Sequence, residues 1–184
     1  MSNITKRAMA QSLKKMLQIK DLDKITITDI TNDCGINRQT FYYHFKDIYD
    51  LLEWIFENEV VEKIEKETTI ETWQENFRYV LNYMLENKKF IIKTYNSLSR
   101  KILLDFLFNQ YNSIFIEIVE NLSQNYNITK ENKIFIANFY KYGFAGIIEN
   151  WIITEMKESP ESIIKKLNVM ISGSFEEAVK KMSN

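Results

Sequence analysis

Turn-forming residues are almost absent from this chain. It holds 4 glycines and 1 proline in 184 residues, roughly 3% where average usage would give about 12%. Gly35 is the only glycine before Gly143. Hairpin-rich sheets, collagen-like chains and Gly/Pro-rich disordered chains all need far more of this punctuation. A glycine-rich phosphate loop is excluded too, because no two glycines have the required spacing. The lone cysteine, Cys34, rules out an internal disulfide framework and a cysteine-rich zinc site, and it fits a reducing compartment. Hydrophobic residues at 45% and charged residues at 27% are ordinary for a globular protein.

The apolar spacing is helical nearly throughout. A first helix is predicted from about Lys6 to Ile19, with Met9, Leu13, Met16 and Leu17 on one face. Thr26 followed by Asp29 reads as the start of a second, short helix, Ile27 to Cys34, stopped by Gly35. Asn37 is an N-cap for a third helix that turns Phe41 and Phe45 inward. Asp47 caps a fourth, running through Leu51, Leu52, Ile55, Val60 and Ile64 into the charged run Glu62 to Glu67. A fifth spans about Ile70 to Leu85, and a short sixth about Lys88 to Asn96. Ser99 is read as the cap of a seventh helix ending near Leu122. Thr129 caps an eighth to about Met156, and Ser159-Pro160 opens a ninth. The predicted fold class is therefore all-α, with about nine helices and no sheet. The apolar window Ile134 to Ile153 contains Asn138, Lys141, Glu149 and Asn150, so it reads as a buried helix and not as a membrane span. The expected location is the cytoplasm.

Two short helices joined through Gly35 form a helix-turn-helix unit, whose second helix can enter a major groove. Its outward face would carry Arg38, Gln39, Thr40, Tyr42, Tyr43 and His44. Such a set offers a guanine reader, an adenine reader, a hydroxyl and methyl for thymine, and phenols for phosphate or bases. No acidic residue lies between Cys34 and Lys46. The formal net charge of −1 conceals an asymmetry. Residues 1–46 carry eight basic and four acidic side chains, a balance of +4, and the remainder carries 16 basic and 21 acidic, a balance of −5. The basic head suits a polyanionic partner.

The stretch ITITDITNDCGINRQTFYYHFKDIYDLLEWIF resembles the N-terminal DNA-binding domain of TetR-family transcriptional regulators. The resemblance covers roughly the first 60 residues: the Thr-rich start of the second helix, the Gly-apolar-Asn turn and the Tyr-x-x-Phe end of the third. YYHFKD followed by YDLLEWIF, with GFAGIIENWI and MKESPESI further on, looks most like the branch containing regulators of dihydroxyacetone kinase operons. The resemblance implies a homodimer that binds a palindromic operator as double-stranded DNA, with repression as the expected sign. It implies a DNA-binding domain over residues 1–46 and an effector-binding and dimerisation domain over 47–184, joined by the fourth helix. Carried over residue by residue, Thr26 and Thr28 would meet phosphate at the start of the second helix. Asn37 caps the recognition helix; Arg38, Gln39, Thr40 and Tyr43 would meet base edges, and Tyr42, His44 and Lys46 the DNA backbone. Many members have a basic residue where this chain has Ile48, which leaves Lys46 and the start of the fourth helix to hold the backbone there.

In the C-terminal part, Trp73, Phe77, Tyr95, Phe106, Tyr111, Phe139 and Tyr142 are candidates to line an effector pocket, although a helical domain of this size also needs such aromatics as core. In the family the last two helices pair across the dimer; candidates here are Ile147, Trp151, Ile163, Leu167, Met170 and Ile171, whose periodicity fits a dimer seam or the chain's own core equally. Gly143 and Gly146 permit a close helix approach. The effector is either an unidentified small molecule or a protein co-regulator, the second possibility making the chain a helical adaptor or activator. His44, the only histidine, has no companion of the kind that catalysis or metal binding requires. Cys34 reads as a small apolar residue. Neither an enzyme, nor a metal site, nor a cofactor is expected.

Overall fold

The computed structural model describes residues 2–61 and 72–183, and among these it contains α-helices, one 3-10 turn and no strand. The α-helices are α1 (Ser2–Met16), α2 (Ile27–Cys34), α3 (Arg38–His44), α4 (Ile48–Glu59), α5 (Trp73–Glu86), α6 (Lys88–Tyr95), α7 (Arg100–Leu122), α8 (Lys130–Ile153), α9 (Pro160–Ile171) and α10 (Ser174–Met182). The all-α class is as expected. The segment opened by Ser159-Pro160 becomes two helices because Gly173, in the left-handed region at φ 75, ends the path between them. The charged run Glu62 to Glu67 and the expected extension of α4 through Ile64 lie outside the described residues.

Side-chain caps start the helices where the sequence places them. Asn37 Oδ1 accepts from the Thr40 amide at 2.7 Å, and Asp47 Oδ1 from the Asp50 amide at 2.9 Å. Thr129 and Ser159 accept from the amides of Asn132 and Ser162. Each satisfies one of the amides that a helix start leaves without an internal partner. Ser99 does not follow suit. Its hydroxyl is buried with no hydrogen-bond partner among the described residues, and its amide donates to Ser97 Oγ instead. Nor does α8 reach Met156: it stops at Ile153, and Glu155 and Met156 turn the chain with positive φ values of 56 and 51.

By compactness the chain divides into two units, Met1–Lys63 with Asn87–Phe106, and Ile64–Glu86 with Leu107–Asn184. Packing thus groups α4 and α6 with the helix-turn-helix, whereas the functional boundary expected from sequence falls after residue 46. The physical reason is a shared core. Met9 and Leu13 of α1, Leu17 just beyond its end, Ile30 of α2, Phe41 of α3, and Leu51, Leu52, Ile55 and Phe56 of α4 are all buried. Phe56 also meets Phe90 of α6, ring centroids 5.5 Å apart, and stacks on Phe106 at 4.9 Å.

The second unit is built around aromatic side chains of α5, α7, α8 and α10. Phe144 meets Phe77 at 5.1 Å, Phe115 at 4.8 Å and Trp73 at 5.4 Å, and Tyr140 stacks on Phe175 at 3.6 Å. Among the described helices, α7 is the one long and apolar enough to pass for a membrane span, not the Ile134 to Ile153 window singled out from sequence. Its Leu107, Tyr111, Phe115, Ile118 and Val119 are buried in protein, and Asp105, Glu117 and Glu120 lie along it. Such a pattern belongs to a core helix.

Gly35 holds φ 64 and ψ 31, and its amide and that of Ile36 donate to Asn32 and Thr31 carbonyls at 3.2 and 3.0 Å. This doubly bonded left-handed ending turns the chain from α2 toward α3. A Cβ at Gly35 would meet nothing within 4 Å, so the requirement is purely one of backbone conformation. Gly35→Ala is expected to cost roughly 1–2 kcal/mol in urea unfolding, with Gly35→Asn retaining part of that loss because Asn tolerates the left-handed region better.

Candidate nucleic-acid interface

The helix-turn-helix begins with a capping box. The Thr26 hydroxyl accepts from the Asp29 amide at 3.1 Å and donates to Asp29 Oδ2 at 3.0 Å, and the Thr26 amide donates to the same carboxylate at 2.9 Å. These bonds from Thr26 hold the Asp29 carboxyl below the usual carboxylate range, with Lys20 at 3.6 Å assisting. The expectation that the Thr26 hydroxyl meets phosphate is therefore altered: it is already engaged in starting α2. Thr28, one turn-position further along, is exposed.

Helix α3 shows the same division of labour. Asn37 and Thr40 are joined to each other, Thr40 Oγ1 donating to Asn37 Oδ1 at 2.9 Å, and Thr40 is half-buried. Phe41 is buried beneath the helix. Facing out are Arg38, Gln39, Tyr42 and Tyr43, the last 83% exposed. Arg38 touches only the Tyr42 hydroxyl, at a long 3.5 Å, so its guanidinium is bound to no carboxylate among the described residues. Tyr43 packs edge-on to half-buried His44 at 4.9 Å. The structure thus brings four side chains to one accessible face and assigns Thr26, Asn37 and Thr40 to holding that face in place.

At the start of α4, Ile48 is half-buried, as its apolar side chain requires. Asp47 caps the helix, and Asp50 Oδ2 accepts the Lys46 amide at 2.8 Å. Two carboxylates therefore occupy the helix start that was expected to help bind the DNA backbone, which leaves the exposed Lys46 ammonium as the cation there. Sequence reasoning missed Lys6, whose Nζ lies 5.4 Å from the Phe45 ring and 5.8 Å from the Trp54 ring.

The candidate effector residues are not gathered into one pocket. Trp73, Phe77 and Tyr111 line a void with Asn76, Val80, Ile114, Phe115 and Phe144. Tyr95 and Phe106 belong to the other compact unit. Phe139 and Tyr142 are exposed, at 70% and 60%. The void has room for water centres of only about 10 Å³, roughly one water molecule. The Tyr111 hydroxyl is buried with no hydrogen-bond partner among the described residues, and burial raises its pKa.

The dimer candidates also separate. Trp151, Ile163, Leu167 and Ile171 are buried in the chain's own core, whereas Ile147 and Met170 face out. The outward apolar stripe of α8 is instead Phe135, Phe139, Tyr142, Ile147 and Ile153, with Val169 and Met170 exposed on α9. Gly143 and Gly146 are exposed on the same helix, with open space at each. On a helical wheel Phe135, Phe139, Tyr142 and Ile153 lie opposite the buried Ile136, Tyr140, Phe144, Ile148 and Trp151, and Ile147 lies at the edge of the buried arc.

Residues 71–173 match the family described as a transcriptional regulator C-terminal region. The chain belongs to the TetR family of transcriptional regulators. Among TetR-family relatives, the HTH-type dhaKLM operon transcriptional activator DhaS of Lactococcus lactis subsp. lactis (strain IL1403) is 35% identical over 94 residues, covering 51% of this chain and 50% of that protein. The match thus spans about half the length of that curated relative. A solved TetR-type structure, the dihydroxyacetone kinase operon activator DhaS, aligns with 98% of this chain and 99% of its own at a TM-score of 0.72 and 25% identity. These relatives are regulators of transcription and not enzymes.

Asp29 ionises more readily folded than unfolded, so its contribution to stability is present above the ordinary carboxylate pKa near 4 and is lost as pH falls through the lowered value. Thermal unfolding followed from pH 7 to pH 2 is expected to show a steeper acid loss for the wild type than for Asp29→Asn, the two curves converging at the acid end.

Proposed function

We propose that this chain is an operon-level transcriptional regulator that reads double-stranded DNA as a homodimer, each α3 entering a major groove at one half of a palindromic operator. The observation that carries this reading is the outward face of α3, where Arg38, Gln39, Tyr42 and Tyr43 are exposed and Arg38 is held by no carboxylate among the described residues. Arg38 and Gln39 suit guanine and adenine edges, and Tyr42, Tyr43, Thr28 and Lys46 suit the flanking bases and phosphates. Residues 1–46 would supply the DNA-reading head and 47–184 the controlled, dimerising part. The cytoplasm is where such a protein meets its DNA.

Dimerisation through the apolar stripe of α8 and the Val169-Met170 corner of α9 is supported by the exposure of that stripe along a whole helix. As to sign, both named relatives are activators, which favours activation over the repression expected from sequence. As to the controlling signal, a void with room for about one water supports a protein co-regulator over a metabolite seated between α5, α7 and α8.

Salt-dependent mobility shift with the DNA upstream of the chain's own gene tests the reading. Arg38→Ala is expected to cost roughly 1–3 kcal/mol and to relax preference at one operator position. Lys46→Ala should weaken binding to all sequences alike and flatten the salt slope by about one unit. Absence of any salt-sensitive binding, with and without cell extract, would overturn the proposal. For the dimer, Phe139→Glu combined with Met170→Glu is expected to sediment as a folded monomer.

A further inference from the structure

A cleft of about 300 Å³ opens on the first compact unit, between α1 and α4. One wall is a single turn of α1, formed by Arg7, Ala10 and Gln11; the other is Trp54, Asn58 and Glu59 of α4. Spacings of three and four residues put Arg7, Ala10 and Gln11 on one face of α1 and Trp54 and Asn58 one turn apart on α4, with Glu59 beside Asn58. Ala10 supplies the depth, since its methyl group leaves unfilled the space a longer side chain would take. None of these residues belongs to the outward face of α3 or lines the void among α5, α7 and α8.

The cleft is electrostatically lopsided. Glu59, its one carboxylate, receives Lys14 Nζ at 2.6 Å and is thereby neutralised. At the Trp54 end, Lys6 Nζ stands 5.8 Å from the indole ring. Arg7 is exposed and forms no ion pair with a carboxylate among the described residues. A guanidinium in this position offers a planar pair of N–H donors that matches a carboxylate. Trp54 is half-buried and contributes a flat apolar wall. The Asn58 side-chain amide donates to the Trp54 carbonyl at 3.1 Å, which fixes that wall one turn along α4.

We infer that this cleft binds a small, flat organic monoanion, an aromatic or unsaturated carboxylate whose ring lies along Trp54 and whose carboxylate is taken by Arg7. With Glu59 charge-balanced by Lys14, Arg7 is the one uncompensated cation among the residues lining the cleft, which matches a single carboxylate. An occupant in contact with both α1 and α4 stabilises the DNA-reading unit by mass action, because it binds the folded unit and not the unfolded chain.

Benzoate is the probe, titrated into the full-length protein while the indole N–H signal of Trp54 is followed by NMR, that signal being assigned by its loss in Trp54→Phe. The expected result is a saturable shift of the Trp54 signal and a rise in unfolding temperature. Benzamide, of the same shape without the charge, should bind at least about tenfold more weakly, and so should benzoate to Arg7→Gln. Arg7→Gln without ligand should unfold at the wild-type temperature, since the side chain is exposed and pairs with no carboxylate among the described residues. A Trp54 signal that does not move, equal binding of benzamide, undiminished binding to Arg7→Gln, or equal saturation by inorganic phosphate would each overturn the inference. DNA binding is read separately by mobility shift, so failure here leaves the regulatory reading to its own test.

Discussion

A helix start leaves several backbone amides with no partner inside the helix, and in a chain nearly free of glycine and proline the side chains must satisfy them. Thr26, Asn37, Asp47, Thr129 and Ser159 each accept from an amide three residues on. These bonds set where one helix ends its approach and the next begins. In the first unit three such caps fall within 22 residues, and between the first and second lies the left-handed Gly35. The direction of α3, and hence of everything it presents, depends on this short series of local bonds.

The same bonds explain why the accessible face of α3 is narrower than its sequence suggests. A hydroxyl or carboxamide spent on a cap is not available to a base or phosphate at no cost, and Thr26, Asn37 and Thr40 are spent in this way. The long side chains Arg38, Gln39, Tyr42 and Tyr43 reach past the backbone and remain outside. Carboxylates at the starts of α2 and α4 complement the positive helix ends and so compete with phosphate for the same amides. The basic balance of the head is thus delivered by side chains such as Arg38 and Lys46 more than by helix ends.

Much of the first unit was legible in the sequence because its signals are local. Capping residues, the lone glycine and the Phe41, Phe45 spacing each act within about one helical turn, and α2 and α3 were readable to within a residue at their ends. The second unit was less so. Periodicity identifies that a residue is on the apolar stripe of a helix, but a helix apolar nearly all round, as α8 is, has two such stripes. Trp151, Ile163, Leu167 and Ile171 proved to face inward and Phe135, Phe139 and Val169 outward. Likewise, Tyr95 and Phe106 were grouped with Trp73 and Tyr111 by residue type, although the chain returns them to the unit that holds the helix-turn-helix. Ser99 shows the converse limit: a good capping residue stays uncommitted when burial turns its hydroxyl away from the amides it would serve.

By itself, the sequence determined that the chain is helical, where most helices start, that its basic charge is gathered at one end, and that a short helix capped by Asn37 follows Gly35. Those properties rest on bonds and charges between near neighbours, which one-dimensional order specifies. Tertiary structure alone decided which aromatics are core, which apolar stripe of α8 faces outward, that α4 and α6 share a core with the head, and that α1 and α4 enclose a cleft beside Trp54. Each of these depends on which helix faces are brought together across long separations, where side-chain volume and burial, and not residue order, choose among arrangements of equal local merit.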